Sequence, residues 1–371
     1  LARFKNIIPN HSCNGIWKRR GLEFISPAKK VINIGIIGCG YWGPKLVRNF
    51  SSLSNCKVKR VSDLKIGRLE FIKKEFPEIE ITKNYREIIQ DKNIQAVCIA
   101  TPVTTHKDIA EEAMFFGKHV FIEKPMSFNS EDAESLLNTS QKLKKKIAVG
   151  HVFQFSPAVR KIRQLIKSKA IGKILHITST RINLGPPNSE VDVIWDLGPH
   201  DFSIILYILG ESPIKVNSFR NSYPFNTGEI SKSASVKTSS NQTNNAHIDL
   251  NFKSGTTAHI HLSWLSSNKI RLMQIFGSEG TIVYDEMLAL DGKVKLYGKG
   301  VDNRIKAKDT DVSNLGYHSG DIQIIPLEQH EPLRMECQEF INSIINDSPL
   351  INDGKIGLEV VRLLETSSKK N

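Results

Sequence analysis

"VINIGIIGCGYWG", residues 31–43, decides how the first third of this 371-residue chain folds. Its first eight residues are a continuous apolar run rich in β-branched side chains, the composition of a strand covered on both faces. The run breaks at Gly38, Gly40 and Gly43, and "GPKLVRNFSSL" then reads as a helix, with Pro44 near its first turn where a missing N–H costs nothing. In this setting each glycine has its own reason. Gly38 permits the tight turn, Gly40 lets the backbone approach a pyrophosphate, and Gly43 lets helix and strand pack closely. The helix start adds free N–H groups and the positive end of its dipole. Twenty residues past Gly43, Asp63 ends the next strand, "KVKRVSDL", where a carboxylate takes both ribose hydroxyls and repels a 2′-phosphate. The loop residues Gly38, Cys39, Gly40, Tyr41, Trp42 and Gly43, with Asp63, predict bound NAD; Lys65 and Arg68 leave NADP open.

Outward from this unit, "QAVCIATP" and "HVFIEKP" read as further buried strands, separated by the helix "THKDIAEEAMFFG", and "KKIAVGHVF" ends the series. The alternation predicts an α/β Rossmann domain, a doubly wound parallel sheet, over residues 31–153. Thr101 and Pro102 end one strand at the edge where such sheets bind ligands. His106 close by either meets the cofactor or faces solvent at a helix start. After residue 156 the pattern changes. A helix, "PAVRKIRQLIKS", leads to the strand "GKILHITSTRI", and strand-like runs "KVNSFRNS", "NNAHIDLNF", "TTAHIHLSW" and "KIRLMQIFG" follow without helices between them. Residues 154–371 are therefore expected to form an α+β domain with a large open, mainly antiparallel sheet. The polar stretch 227–245 reads as a loop, and "PLRMECQEFINSIIN" and "GKIGLEVVRLLETS" as amphipathic helices. His259, His261 and Ser263 share one strand face. With no acid or cysteine at useful spacing, they read as sheet surface or subunit interface rather than a metal site.

Composition narrows the classes. A hydrophobic fraction of 40% and a charged fraction of 24% are ordinary for globular proteins, and no apolar run reaches membrane-helix length. Five cysteines, Cys13, Cys39, Cys56, Cys98 and Cys337, lack zinc-type spacing and read as reduced thiols, hence a cytoplasmic protein. The net charge of +13 does not predict nucleic-acid binding. Seven Lys or Arg against Glu23 lie in residues 1–30, and the remaining excess is scattered. That basic, acid-poor segment reads as a poorly ordered extension; a chain opening at Leu1 reads as a fragment or an upstream read-through.

"WDLGPHDF", residues 195–202, places Asp196 and His200 at the mouth of an otherwise apolar helix. Capping accounts for one acid but not for a histidine four residues on, and a metal site lacks a third ligand. A proton relay fits: His200 as a base near neutral pH, with Asp196 fixing its tautomer. In "EKP" (123–125), Lys124 follows a buried parallel strand, where an ammonium can hold a substrate oxygen. On the residues alone, a surface lysine before a turn is the default reading. Trp195 covers a nicotinamide or fills core, with core preferred. Arg181, ending a strand of the second half, faces either a substrate phosphate or an acidic partner.

Taken in order, "GCGYWGPKLVRNF", "IATPVTTH", "GKHVFIEKP" and "IWDLGPHDFSI" resemble the Gfo/Idh/MocA oxidoreductases, over residues 31 to about 368. The resemblance implies a Rossmann domain followed by an open-sheet domain that joins subunits into a homodimer or homotetramer. It also implies NAD(P)-linked oxidation or reduction of a sugar or cyclitol. The Asp196–His200 spacing matches the family's catalytic pattern, Lys124 its catalytic lysine, and Glu123 a residue orienting Lys124 or the nicotinamide ribose; the Lys124–Pro125 bond is expected to be cis. "GYWGPxLVRNF" and "HIHLSW" look most like a branch with UDP-N-acetylglucosamine 3-dehydrogenases, so the substrate is expected to be a sugar or nucleotide sugar. Two features depart from the family pattern. Gln154 and Ser156 stand where Arg and Asn are usual, near the entrance to the active site, which makes Gln154 a candidate substrate residue. The basic extension 1–30 has no counterpart.

Overall fold

The computed structural model describes residues 30–185, 191–224, 242–301 and 317–369. The basic segment, Cys13 and nearly all of the loop expected at 227–245 fall outside the described residues.

Six strands, β1 (Ile32–Ile37), β2 (Cys56–Ser62), β3 (Glu80–Thr82), β4 (Ala96–Ile99), β5 (His119–Ile122) and β6 (Ile147–Val149), form a parallel sheet in the order β3-β2-β1-β4-β5-β6. The direction of winding reverses between β1 and β4, which opens a crevice at the carboxyl ends of the strands. Ile34 and Ile36 of β1 are wholly buried, as the unbroken apolar run requires. The first helix, α1 (Gly43–Ser51), buries Leu46, Val47 and Phe50. The Phe50 ring stands edge-on to Phe121 of β5 at 6.0 Å and near Phe340 at 6.5 Å. Burying a ring of that size stabilises by about 1.5–3 kcal/mol. Phe340 belongs to a helix near the end of the chain, Pro332–Asn346, whose Leu333, Cys337 and Ile341 join the same core. The distal chain therefore returns to seal the first sheet.

The helices Ile66–Glu75, Arg86–Gln90, His106–Phe115 and Ser130–Lys142 are α2 to α5, and Pro157–Lys167 is α6. The second sheet has eight strands: β7 (Ile174–Leu184), β8 (Pro213–Asn221), β9 (Asn245–Phe252), β10 (Thr257–Ser263), β11 (Leu265–Gly277), β12 (Gly280–Asp285), β13 (Val294–Val301) and β14 (Tyr317–Ile324). Their order is β14-β13-β12-β11-β7-β10-β9-β8, antiparallel except where β7 meets β10. One face, with Ile248, Ile260 and Leu262 buried, packs on α7 (Val193–Leu209). The helix Pro332–Asn346 is α8, and α9 (Gly354–Ser368) ends the described chain. On the other face His259 lies 2.7 Å from Asp249 and His261 3.0 Å from Asn245, while the His247 ring stacks on His261 at 4.3 Å. Among the described residues no group of three His, Cys, Asp or Glu is arranged to hold a metal, and no helix is long and apolar enough to cross a membrane. Cys39, Cys56, Cys98 and Cys337 are free and buried; burial pushes Cys39 and Cys56 up to about 12, so these thiols are inert at neutral pH.

Candidate active site

The glycine loop is held by backbone geometry. Gly38 has φ of +98°, and a Cβ there would lie 2.6 Å from the Ala100 carbonyl oxygen. A Cβ on Gly43 would run into the Gly38 carbonyl oxygen. Around Gly40 the nearest group is the Arg68 guanidinium at 4.0 Å, so the middle of the loop faces open space of the kind a diphosphate needs. Asp63 anchors the loop from β2. It accepts from the N–H of Cys39 at 2.7 Å, the N–H of Lys65 at 2.8 Å and the Arg68 guanidinium at 3.2 Å. Burial alone would raise its carboxyl, but these donors outweigh it and hold Asp63 below the usual carboxylate range. Tyr41 is exposed, with the Lys45 ammonium 3.6 Å from its ring centre and 4.4 Å from that of Trp42.

At the exit of β4, Thr101 accepts from the Thr105 hydroxyl at 2.7 Å. His106 turns inward rather than toward solvent. It is 1% exposed, and its ring nitrogens lie 3.0 Å from the Pro125 carbonyl and 2.9 Å from the Thr101 carbonyl. It lies between the β4 exit and the Lys124–Pro125 turn, whose peptide bond is cis, so the solvent-facing reading of His106 is corrected.

Lys124 ends β5 and reaches across to α7. Its Nζ donates to the Asp196 carbonyl at 2.9 Å and lies 3.6 Å from Asp196 Oδ1. Asp192 caps α7 by accepting from the N–H of Ile194 and Trp195, which sets Asp196 in the first turn and His200 one turn on. The expected pairing of Asp196 with His200 is replaced: no hydrogen bond joins them, and the carboxylate serves Lys124. His200 is half-buried, with its ring edge-on to Phe153 at 5.0 Å. Burial first, then the charges of Lys124, Arg181 and Arg271, hold its imidazole well below the usual value, hence neutral. Glu123 is buried behind Lys124 and accepts from the Lys124 N–H at 3.2 Å; burial pushes it up to about 7.

Two further candidates are buried. Gln154 is fully buried and donates to the Ser203 carbonyl at 3.3 Å, while its Oε1 has no partner. Arg181, 3% exposed, is neutralised within the protein by Asp201 at 2.6 Å and Glu286 at 3.1 Å. Of the two sequence readings for Arg181, the acidic partner is the one observed. Trp195 is 8% exposed and stacks on Phe128 at 5.0 Å, as a core residue does. Sequence reasoning missed His151, Phe153 and Glu336. His151 had a signal, since it is polar and follows a buried parallel strand just as Asp63 and Lys124 do.

A dinucleotide crevice with a lysine and a histidine at its mouth defines an oxidoreductase architecture. Comparison with known proteins gives the same class. Residues 32–151 match the oxidoreductase family with an NAD-binding Rossmann fold, and residues 159–283 match the GFO/IDH/MocA C-terminal domain. The chain belongs to the Gfo/Idh/MocA family of oxidoreductases. It is 25% identical to the UDP-N-acetylglucosamine 3-dehydrogenase of Acidithiobacillus ferrooxidans, covering 88% of this chain and 93% of that one. It is 28% identical to the myo-inositol 2-dehydrogenase of Thermotoga maritima over 69% of this chain and 76% of that one. To the oxidoreductase YrbE of Bacillus subtilis it is 31% identical over 50% of this chain, spanning only 56% of that relative's length.

Proposed function

We propose that this protein is an NAD-dependent dehydrogenase that oxidises a secondary hydroxyl of a sugar, at C3 of a nucleotide-linked amino sugar of the UDP-N-acetylglucosamine kind. The observation that carries the reading is the bond from Lys124 to the Asp196 carbonyl, which joins the edge of the dinucleotide crevice to the helix bearing His200. The open space at Gly40 and the ionised carboxylate of Asp63 suit a diphosphate and a ribose diol, and Asp63 favours NAD over NADP. Bound NAD would supply the hydride acceptor. The rest falls to the chain. Neutral His200 takes the hydroxyl proton on a ring nitrogen, while the Lys124 ammonium donates to the same oxygen and stabilises the alkoxide as hydride leaves the carbon. Asp196 holds Lys124 in place and offsets part of its charge. Burial first, then the nearby cations, keep His200 a weak base; the Lys124 ammonium would favour an anionic substrate, whose charge would in turn make the histidine a better base.

A cyclitol or free sugar is the second reading, favoured by the similarity to a myo-inositol 2-dehydrogenase; 3-ketosugar reduction uses the same groups in reverse. A sensor that only binds NAD would need the glycine loop but not Lys124, Asp196 and His200 together. The open face of the second sheet, with exposed Phe219 beside the His247–His261 stack, supports self-association as a homodimer or homotetramer, which sedimentation would measure. The deciding experiment is NADH formation at neutral pH with UDP-N-acetylglucosamine, its uronic acid, myo-inositol and glucose 6-phosphate. Turnover of a nucleotide sugar is expected; none on either nucleotide sugar, with turnover on inositol, would overturn the C3 assignment.

A further inference from the structure

His151 lies in the same crevice and has no part in the scheme above. β5 and β6 pair as far as Ile122 opposite Val149, and Lys124 and His151, which follow these strands, lie near enough for the ammonium charge to act on the imidazole. The approach is close. The Gly150 N–H donates to the Ile122 carbonyl at 2.8 Å, and a Cβ on Gly150 would lie 3.0 Å from Glu123 Oε2. The His151 backbone N–H is engaged by the Val149 carbonyl at 2.6 Å and by the Glu336 carboxyl. Its imidazole is different. The residue is 2% exposed, and neither ring nitrogen has a hydrogen-bond partner.

A buried imidazole with two unpaired nitrogens is a costly group, and buried polar atoms in folded proteins are nearly always partnered. Several ionisable groups surround it. Lys124 and Glu123 approach from β5, Glu336 from α8, and Asp196 and His200 from α7. Burial, then the Lys124 charge, keep His151 neutral down to about 3, so one of its nitrogens is always an acceptor at working pH. Lys124 has three N–H groups. One is spent on the Asp196 carbonyl and a second points toward the Asp196 carboxylate at 3.6 Å.

We propose that His151 is a positioning residue for Lys124, its neutral imidazole accepting a hydrogen bond from the ammonium as the lysine turns from the Asp196 carbonyl to the substrate oxygen. The lysine thereby stays aimed at the substrate oxygen through turnover. This inference rests on the dehydrogenase reading above, because it gives Lys124 a substrate oxygen to meet.

The test uses the full chain with His151→Leu, which keeps bulk without nitrogen, and His151→Asn, which restores an acceptor. His151→Phe takes the place of Leu if that variant does not fold, as judged by thermal unfolding. The first readout needs no substrate: trace acetic anhydride at pH 8, with acetylation of Lys124 counted against the other lysines by mass spectrometry. Loss of the acceptor leaves the amine unheld whenever Nζ leaves the Asp196 carbonyl, and Lys124 acetylation should rise about tenfold or more in the Leu variant and return within about threefold of wild type in the Asn variant. The second readout is the split between kcat and KM: kcat should fall by about tenfold in the Leu variant and recover in the Asn variant, with KM for NAD unchanged. Unchanged acetylation in a folded Leu variant overturns the proposal, even if turnover drops. Raised acetylation in a protein that oxidises none of the sugars would keep the His151–Lys124 coupling and remove the dehydrogenase reading instead.

Discussion

Glu336→Gln is a mutation whose effect on stability should change with pH. Glu336 is 1% exposed; it accepts from the Asn352 amide at 3.1 Å, and its second oxygen has no partner. Burial, then the charge of Glu123, raise its carboxyl well above the usual range, more than the Asn352 and His151 donors lower it. In the unfolded chain the same carboxyl ionises at about 4.3. Between those two values the folded protein holds a proton that the unfolded chain has released, so stability falls by about 1.4 kcal/mol for each unit the pH rises above about 4.3. The loss grows until the folded-state carboxyl itself ionises, and a glutamine of the same shape does not suffer it. Urea unfolding of both proteins at pH 4, 5, 6 and 7 should show the variant equal to wild type at pH 4 and increasingly more stable as the pH rises toward 7. A pH-independent difference, or a less stable variant at pH 7, would refute the argument that Glu336 carries a proton. Glu123, pushed up to about 7, has the same sign. His106, His151 and His200 have the opposite one: their lowered values mean that the unfolded chain takes up protons first as pH falls below about 6.5. The two sets partly cancel between about 6.5 and 4.3, so the wild-type acid transition should steepen below about pH 4.3.

Lys124→Ala and His200→Ala should each lower kcat by about 10²-fold or more with NAD affinity nearly intact; loss of NAD affinity alone would make them cofactor-binding residues. Asp63→Ser would remove the carboxylate proposed to take a ribose diol and would free Arg68 for a 2′-phosphate, so titrations should show the NAD/NADP affinity ratio falling by about 10²-fold, and an unchanged ratio counts against Asp63 as the selector. Arg181→Leu leaves Asp201, 1% exposed, without its cation, and denaturant unfolding should register a loss of about 3–5 kcal/mol; under about 1 kcal/mol would mean the network carries no stability.

The start of the fold was legible because its causes are local. A β-branched run, a glycine that must take φ of +98° and a proline in the first turn specify β1, the loop and α1 from within thirteen residues of one another. Alternating apolar residues marked β9 and β10 for the same reason. β3, with three residues, and α3, with five, are too short for any period to register, and they exist because β2 and the helix beside it offer partners. The candidate site divides in the same way. Asp63 and Lys124 carried sequence signals because each follows a strand at the crevice, and His200 because it is an ionisable group in the first half of an otherwise apolar helix. What each polar group pairs with was decided only by tertiary structure. Asp196 meets Lys124, 72 residues away, instead of His200, and Arg181 meets Asp201 and Glu286 on other elements. Asn352 joins Glu336 to the Val149 carbonyl across 203 residues, and so fixes the buried acid behind His151. Spacing along a chain reports which way a side chain points; its partner, and hence its charge, depends on which distant segment packs against it.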